Sequence, residues 1–111
     1  MSKTVNTSDL QGVALDWAVA NCEKLNLEYY FPMRFRGAWL SKSFRYSTDW
    51  AEGGPIIERE KIATDFDGAA WCASDNAAPL AYYGPTPLVA AMRCYVASKL
   101  GDTVDIPEEI L

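Results

Sequence analysis

Residues 83–101 read YGPTPLVAAMRCYVASKLG, and this segment predicts the principal helix of the chain. Thr86 offers a side-chain cap, Pro87 suits the first helical position, and Gly101 supplies a stop at the far end. The predicted helix covers about 87–100. Its apolar residues occupy nearly the whole circumference, so we expect the helix either to be surrounded by its own domain or to be shared with a second subunit.

The segments on either side of this helix predict shorter elements. An Asp67-Gly68 pair between two apolar runs predicts a β-hairpin over about 62–73. Further upstream, a proline at the first helical position predicts a short helix over about 55–60, although the alternation of isoleucine and glutamate there also fits an extended strand. Downstream of the principal helix, the acidic residues of 102–111 predict a solvated tail.

The N-terminal half predicts one more helix and then strands. Ser8 and Gln11 form a capping-box pattern, and the apolar residues that follow at helical spacing predict a helix over about 9–25. Short aromatic runs, broken by proline and glycine, then predict strands within about 27–46. The sequence therefore predicts an α+β fold, with two main helices packed on a small antiparallel sheet with a β-hairpin, in a single domain over 1–111.

Composition argues against several classes of function. The longest apolar run in the C-terminal half, Leu88 to Met92, is far shorter than a membrane span. The chain has no histidine, which removes the commonest general base and metal ligand. Its three cysteines lack the close spacing of a metal site and predict core positions. We therefore expect no cofactor and no metal, and the absence of a signal-like start predicts a cytoplasmic location.

One segment of the chain is both basic and aromatic. Lys24 to Arg45 contains five basic residues against one acid, in a chain with a net charge of −5. Half of the aromatic rings fall between Tyr29 and Tyr46, interleaved with these cations as in single-stranded nucleic-acid binders. The favoured interpretation is a pair of strands with core-facing rings; a protein partner or nucleic acid are the alternatives. The candidate interaction residues are Tyr29, Arg34, Arg36, Trp39, Arg45, Trp50, Arg59 and Arg93.

Three further groups of residues invite specific hypotheses. Four carboxylates lie close together in sequence, namely Asp49, Glu52, Glu58 and Glu60. They suggest a carboxylate-dependent hydrolase or a magnesium site, but capping and surface charge are the expected roles.

The rings predicted to be core anchors are Trp17, Trp50, Trp71 and Tyr95. Arg93 is predicted to pair with an acid such as Asp16 or Glu58, or to lie at a subunit boundary.

Three stretches of the sequence are specific in combination: ALDWAVA at 14–20, STDWAEGGPIIERE at 47–60, and the segment 83–101. Together they resemble the NinX-type family of small phage and prophage proteins, a domain of unknown function. The resemblance implies a phage or prophage accessory protein in a bacterial cytoplasm, and it implies no reaction, substrate or cofactor. The segment 28–45 matches no family motif.

We predict that the protein is a non-catalytic protein-interaction module that binds a host or phage protein. We expect it not to bind membranes and to self-associate as a homodimer through helix 87–100.

Overall fold

A computed structural model of the chain describes residues 2–24, 44–75 and 81–110. Within these ranges the chain forms three α-helices and two small antiparallel sheets, which confirms the predicted α+β class. The helices are α1 (Gly12–Cys22), α2 (Trp50–Glu60) and α3 (Pro87–Leu100). The strands are β1 (Ser2–Asn6), β2 (Ala63–Phe66), β3 (Trp71–Ser74), β4 (Tyr82–Gly84) and β5 (Thr103–Pro107).

The helix α3 lies at the centre of the fold. Thr86 caps it by accepting a hydrogen bond from the N–H of Val89 on its side-chain oxygen, at 3.1 Å, and Gly101 ends it with a φ of 94°. It packs against α1, α2 and every strand of the sheet β2–β3–β4. Its buried residues are Leu88, Ala90, Ala91, Met92, Cys94, Tyr95 and Val96. Burial within its own domain thus accounts for the apolar circumference of α3, and a homodimer through this helix stays a prediction.

The sheet β2–β3–β4 contains the predicted hairpin, which is confirmed. β2 pairs with β3, and the turn between them spans residues 67–70. The Asp67 carboxylate accepts hydrogen bonds from the N–H groups of Ala69 and Ala70 at 2.9 and 2.8 Å, and Gly68 has a φ of 96°. These bonds stabilise a turn over residues 67–70, which is longer than the two-residue connection that an Asp-Gly pair favours.

The second sheet joins the two ends of the described chain. β1 pairs with β5 in antiparallel register, so that Ser2 lies opposite Pro107. Immediately after β1, the fully buried Thr7 donates from its N–H to the carbonyl of Asp102 at 2.8 Å and from its hydroxyl to the carbonyl of Gly101 at 2.7 Å. Thr7 therefore connects the start of the chain to the end of α3.

The prediction of a solvated tail over 102–111 is wrong, because β5 lies within this range. Val104 and Ile106 are buried in the core, while the alternate residues Thr103 and Asp105 are exposed. This alternation buries one face of the strand and leaves its acidic residue in water. The charge of this segment predicts a tail, but its structure depends on pairing with the distant strand β1.

Two helices differ in length from their predictions. The predicted helix over 9–25 is divided, since a 3-10 turn at Thr7–Asp9 is separated from α1 by extended residues at 10 and 11. The predicted helix over 55–60 begins earlier, at Trp50, because the Asp49 carboxylate caps it by accepting a hydrogen bond from the N–H of Ala51 at 2.9 Å. The predicted strands over 27–46 lie outside the described residues except for 44–46, which are loop and turn.

In the described part of the chain, none of the helices has the length and apolar character needed to span a lipid bilayer.

Candidate functional site

One face of α2 is fixed to the core. Ile56 is 2% exposed, and Gly53 is buried against the turn that precedes the helix. A Cβ atom on Gly53 would lie 2.4 Å from the carbonyl oxygen of Tyr46 and 2.6 Å from a methyl carbon of Leu88. The absence of a side chain at Gly53 therefore permits α2 to pack this closely, and the opposite face of the helix is turned toward solvent.

The solvent-facing side of α2 forms a shallow groove of about 600 Å³, called the α2 groove below. Its lining residues are Trp50, Ala51, Gly54, Pro55, Glu58 and Arg59. Trp50 is 54% exposed, so its prediction as a core anchor is wrong. Tyr95 is buried as predicted, and Trp17 and Trp71 are half-buried against the core. An indole ring that a domain leaves in water is available to bind a partner.

The C-terminal end of the α2 groove is held by Arg59. Its two terminal nitrogens donate to the two oxygens of Glu23 at 3.1 and 2.6 Å, and its Nε donates to Glu60 at 2.8 Å. The hydroxyl of Tyr95, from α3, lies 3.1 Å from the same guanidinium and donates to Glu23. Lys99 lies 3.4 Å from Glu60. This arrangement, the Arg59 cluster, joins all three helices and lowers the pKa of both Glu23 and Glu60, chiefly through the hydrogen bonds from Arg59.

The N-terminal end of the α2 groove is tied to α1 by a buried carboxylate. Asp16 is 4% exposed, and it accepts a hydrogen bond from the N–H of Ser47 at 2.8 Å. Burial raises the pKa of Asp16 to about 6, an effect that hydrogen bonding from Ser47 partly offsets. Glu52 of α2 accepts a hydrogen bond from the N–H of Arg45 at 2.9 Å. Two carboxylates thus fix the backbone that enters α2.

Arg93 lies apart from the α2 groove. Its Nε donates to the carbonyl of Leu10 at 2.7 Å, and one terminal nitrogen donates to the carbonyl of Tyr83 at 2.6 Å. The predicted ion pair with Asp16 or Glu58 is therefore wrong. The backbone carbonyls of Leu10 and Tyr83 accept the hydrogen bonds of the guanidinium instead. A pattern of side chains in the sequence does not indicate such backbone partners. Desolvation lowers the pKa of Arg93.

The structure brings two of the eight candidate residues, Trp50 and Arg59, into one groove. Arg45 is exposed just before α2, and Arg93 lies elsewhere. The remaining candidates, which lie outside the described residues, are Tyr29, Arg34, Arg36 and Trp39. The rest of the groove was missed because the predicted helix began at 55. Beginning at Trp50, the same sequence places positions 50, 54 and 58 in one row and 51, 55 and 59 in the next.

Three of the four carboxylates over 49–60 have separate structural roles, and Glu58 is exposed. Asp49 caps the helix, Glu52 binds the backbone of Arg45, and Glu60 binds Arg59. A lowered pKa at Glu60 is the opposite of what a general acid needs. Among residues 2–24, 44–75 and 81–110, no three His, Cys, Asp or Glu side chains are grouped so that they could hold a metal ion. The observed contacts are those of capping and surface charge.

Comparison with known families places the α2 groove within a matched region. A family model described as Bacteriophage P22, NinX matches residues 6–99, which confirms the resemblance. The match covers all of α1 and α2 and nearly all of α3. No curated protein matches the chain.

Proposed function

The chain belongs to the Bacteriophage P22 NinX family and is a phage accessory protein, and we propose that it acts by binding a host or phage protein through the α2 groove. The observation that supports this proposal is the 54% exposure of Trp50 on a helix whose other face is fixed to the core. Tryptophan and arginine are the side chains that most often dominate binding energy at protein interfaces. The groove contains one of each, Trp50 and Arg59; the donors of Arg59 are engaged, but its side chain is 50% exposed and can pack against a partner.

The α2 groove is also preorganised. Close packing at Gly53, the bond between Asp16 and Ser47, and the Arg59 cluster hold both ends of α2 in place before any partner arrives. A rigid surface loses less conformational entropy on binding than a mobile one. A stable complex buries about 800 Å² on each partner, so the groove would be the centre of a larger contact.

A binding role is favoured over catalysis because three of the four acidic residues over 49–60, namely Asp49, Glu52 and Glu60, are engaged in structural bonds. In a protein without histidine, carboxylates are leading candidates for proton transfer. The partners of these three carboxylates are instead backbone N–H groups and the cations of the Arg59 cluster. We place this binding activity in the bacterial cytoplasm, where phage proteins are made.

Co-purification from a bacterial host tests the proposal. The tagged protein is compared with Trp50→Ala and with Tyr83→Ala, a control in which a ring of similar exposure, 50%, is removed outside the groove. We expect a stoichiometric protein partner that survives nuclease, is lost with Trp50→Ala, and is retained with Tyr83→Ala. A partner that Trp50→Ala retains would contradict the assignment to this groove.

The nuclease step also tests the alternative prediction of single-stranded nucleic-acid binding by the segment 29–46. Bound nucleic acid that leaves on nuclease treatment, and binding that weakens steeply with salt, would favour that alternative. The mass of the purified protein in solution tests the homodimer in the same preparation. A monomer at micromolar concentration would contradict self-association through α3.

A further inference from the structure

We infer that the partner of the α2 groove presents a basic segment, in which lysine or arginine side chains flank an apolar residue. This inference rests on the proposed function of the groove and specifies the chemistry of the partner. It follows from which charges on the groove are already paired and which remain available.

The available charge on the groove is negative. Residues 47–60 contain four acidic residues and one base, Arg59, a net charge of −3. The guanidinium of Arg59 already donates from three nitrogens, to Glu23 and to Glu60. Glu58 is exposed in the same groove, and across the described residues it has no ion-pair partner. An incoming cation therefore finds an unpaired carboxylate, whereas an incoming anion finds an arginine that is already occupied.

The aromatic end of the groove favours the same partner. The face of an indole attracts ammonium and guanidinium groups, and the aliphatic stems of lysine and arginine pack on it. Trp50 and Glu58 are eight residues apart on one helix, which separates their backbones by about 12 Å. An extended segment spans that distance in about four residues. One side chain of the partner can therefore cover Trp50 while a cation reaches Glu58.

The charge of the whole chain acts in the same direction. Its net charge of −5 attracts positively charged segments over distances beyond direct contact and repels acidic or phosphorylated ones. Nucleic acid and acidic peptides are consequently disfavoured at this groove. A basic, partly apolar peptide satisfies both the indole and the carboxylate.

Selection from a library of random 12-residue peptides displayed on a surface tests the inference. Peptides that bind the full-length protein are kept only if Trp50→Ala abolishes their binding. The affinity of the kept peptides is then measured against Glu58→Lys and against Glu108→Lys, which makes the same charge reversal at an exposed glutamate outside the groove. Each measurement is repeated at low and high salt.

We expect the kept peptides to be basic, with an aromatic or aliphatic residue near the cations. Glu58→Lys should lower the affinity of these peptides at least about tenfold, and Glu108→Lys should change it little. High salt should also lower their affinity for the unsubstituted protein. Kept peptides that are acidic or uncharged, or that tolerate Glu58→Lys, would overturn the inference while the proposed function stands. If no selected peptide depends on Trp50, both the groove and this inference are wrong.

Discussion

Arg59 donates two hydrogen bonds to Glu23, a residue 36 positions earlier in the chain. Glu23 follows the last turn of α1, and Arg59 lies in the last turn of α2. Because a guanidinium and a carboxylate match in two parallel bonds, this pair sets the relative orientation of the two helix ends as well as their distance. Tyr95 of α3 bonds the same carboxylate, so the geometry of the groove depends on three helices at one point.

We expect a double-mutant cycle on Arg59→Ala and Glu23→Ala to show that the two residues are coupled. The side chains are 50% and 20% exposed, so solvent screening limits the coupling energy to about 0.5–1 kcal/mol. Urea unfolding of the two single variants and the double variant gives this value. Lys99→Ala removes an ion pair of 3.4 Å with Glu60 and a cation–π contact of 5.9 Å with the Tyr95 ring, and it should lower the free energy of unfolding by less than Arg59→Ala. Strictly additive effects at Arg59 and Glu23 would contradict the structural role of the pair.

Two adjacent glycines in α2 should respond oppositely to substitution. Gly53→Ala places a methyl group 2.4 Å from the Tyr46 carbonyl, and we expect the free energy of unfolding to fall by about 2 kcal/mol or more. Among the described residues, a Cβ on Gly54 would meet only the Trp50 ring, at 3.8 Å. Gly54→Ala should therefore leave the stability unchanged or raise it by up to about 1 kcal/mol, since alanine favours helix. Urea unfolding compares the pair, and equal effects would show that α2 does not pack as described.

Because of Asp16, the free energy of unfolding should decrease as the pH rises from about 4 to about 6. Burial raises its pKa from 3.8 to about 6, so in this window the folded protein binds more protons than the unfolded chain. The free energy of unfolding therefore decreases as pH rises, by up to about 3 kcal/mol, and the decrease is complete above pH 6. Asp16→Asn should abolish this decrease. Urea unfolding at pH 4.5 and pH 7.5 measures it.

The comparison with Asp16→Asn is necessary because other carboxyls act in the opposite direction. The pKa values of Glu23 and Glu60 are lowered, so their contribution to stability is present at neutral pH and is lost as pH falls. These groups are common to both proteins. The difference between the two pH profiles therefore isolates Asp16, and identical profiles would refute its burial as a carboxyl.

Thr7 should contribute more to the free energy of unfolding than the exposed Thr4 of β1. Thr7→Val keeps the shape of a fully buried side chain but removes the hydroxyl that donates to the Gly101 carbonyl. We expect a loss of about 1 kcal/mol in the free energy of unfolding. Thr4→Val removes an exposed bond to Asp105 and should cost less than about 0.5 kcal/mol. Thermal unfolding of both variants checks the order, and a reversed order would contradict the connection between Thr7 and α3.

The features that were predictable from the sequence are those with local causes. The bounds of α3 agree with the prediction at both ends, because Thr86, Pro87 and Gly101 fix them within a few residues of the helix itself. The hairpin was predictable for the same reason, since the turn is bonded by its own Asp67. The family resemblance likewise depends on contiguous motifs, and the match over 6–99 confirms it.

The features that the sequence did not predict depend on distant partners. β5 pairs with a strand far away in the sequence, whereas its acidic composition alone predicts a solvated tail. Arg93 binds two backbone carbonyls, which have no signature in side-chain patterns. Trp50 was placed in the core from its size alone, but Gly53 and Ile56 occupy the buried face of α2 and leave Trp50 in water. Local patterns thus predict α3 and the hairpin, whereas long-range packing determines β5, the partners of Arg93 and the face of α2 that is exposed.

The pairing of β1 with β5 has a consequence for synthesis on the ribosome. Thr4 and Asp105 are bonded across 101 positions, so β1 leaves the exit tunnel long before its partner strand does. Until then, the nascent chain cannot cover the core-facing residues that Val104 and Ile106 later bury. A message cut short before β5 would therefore release a product that retains α2 and its exposed tryptophan but lacks the strand that closes the fold, a substrate for host proteases.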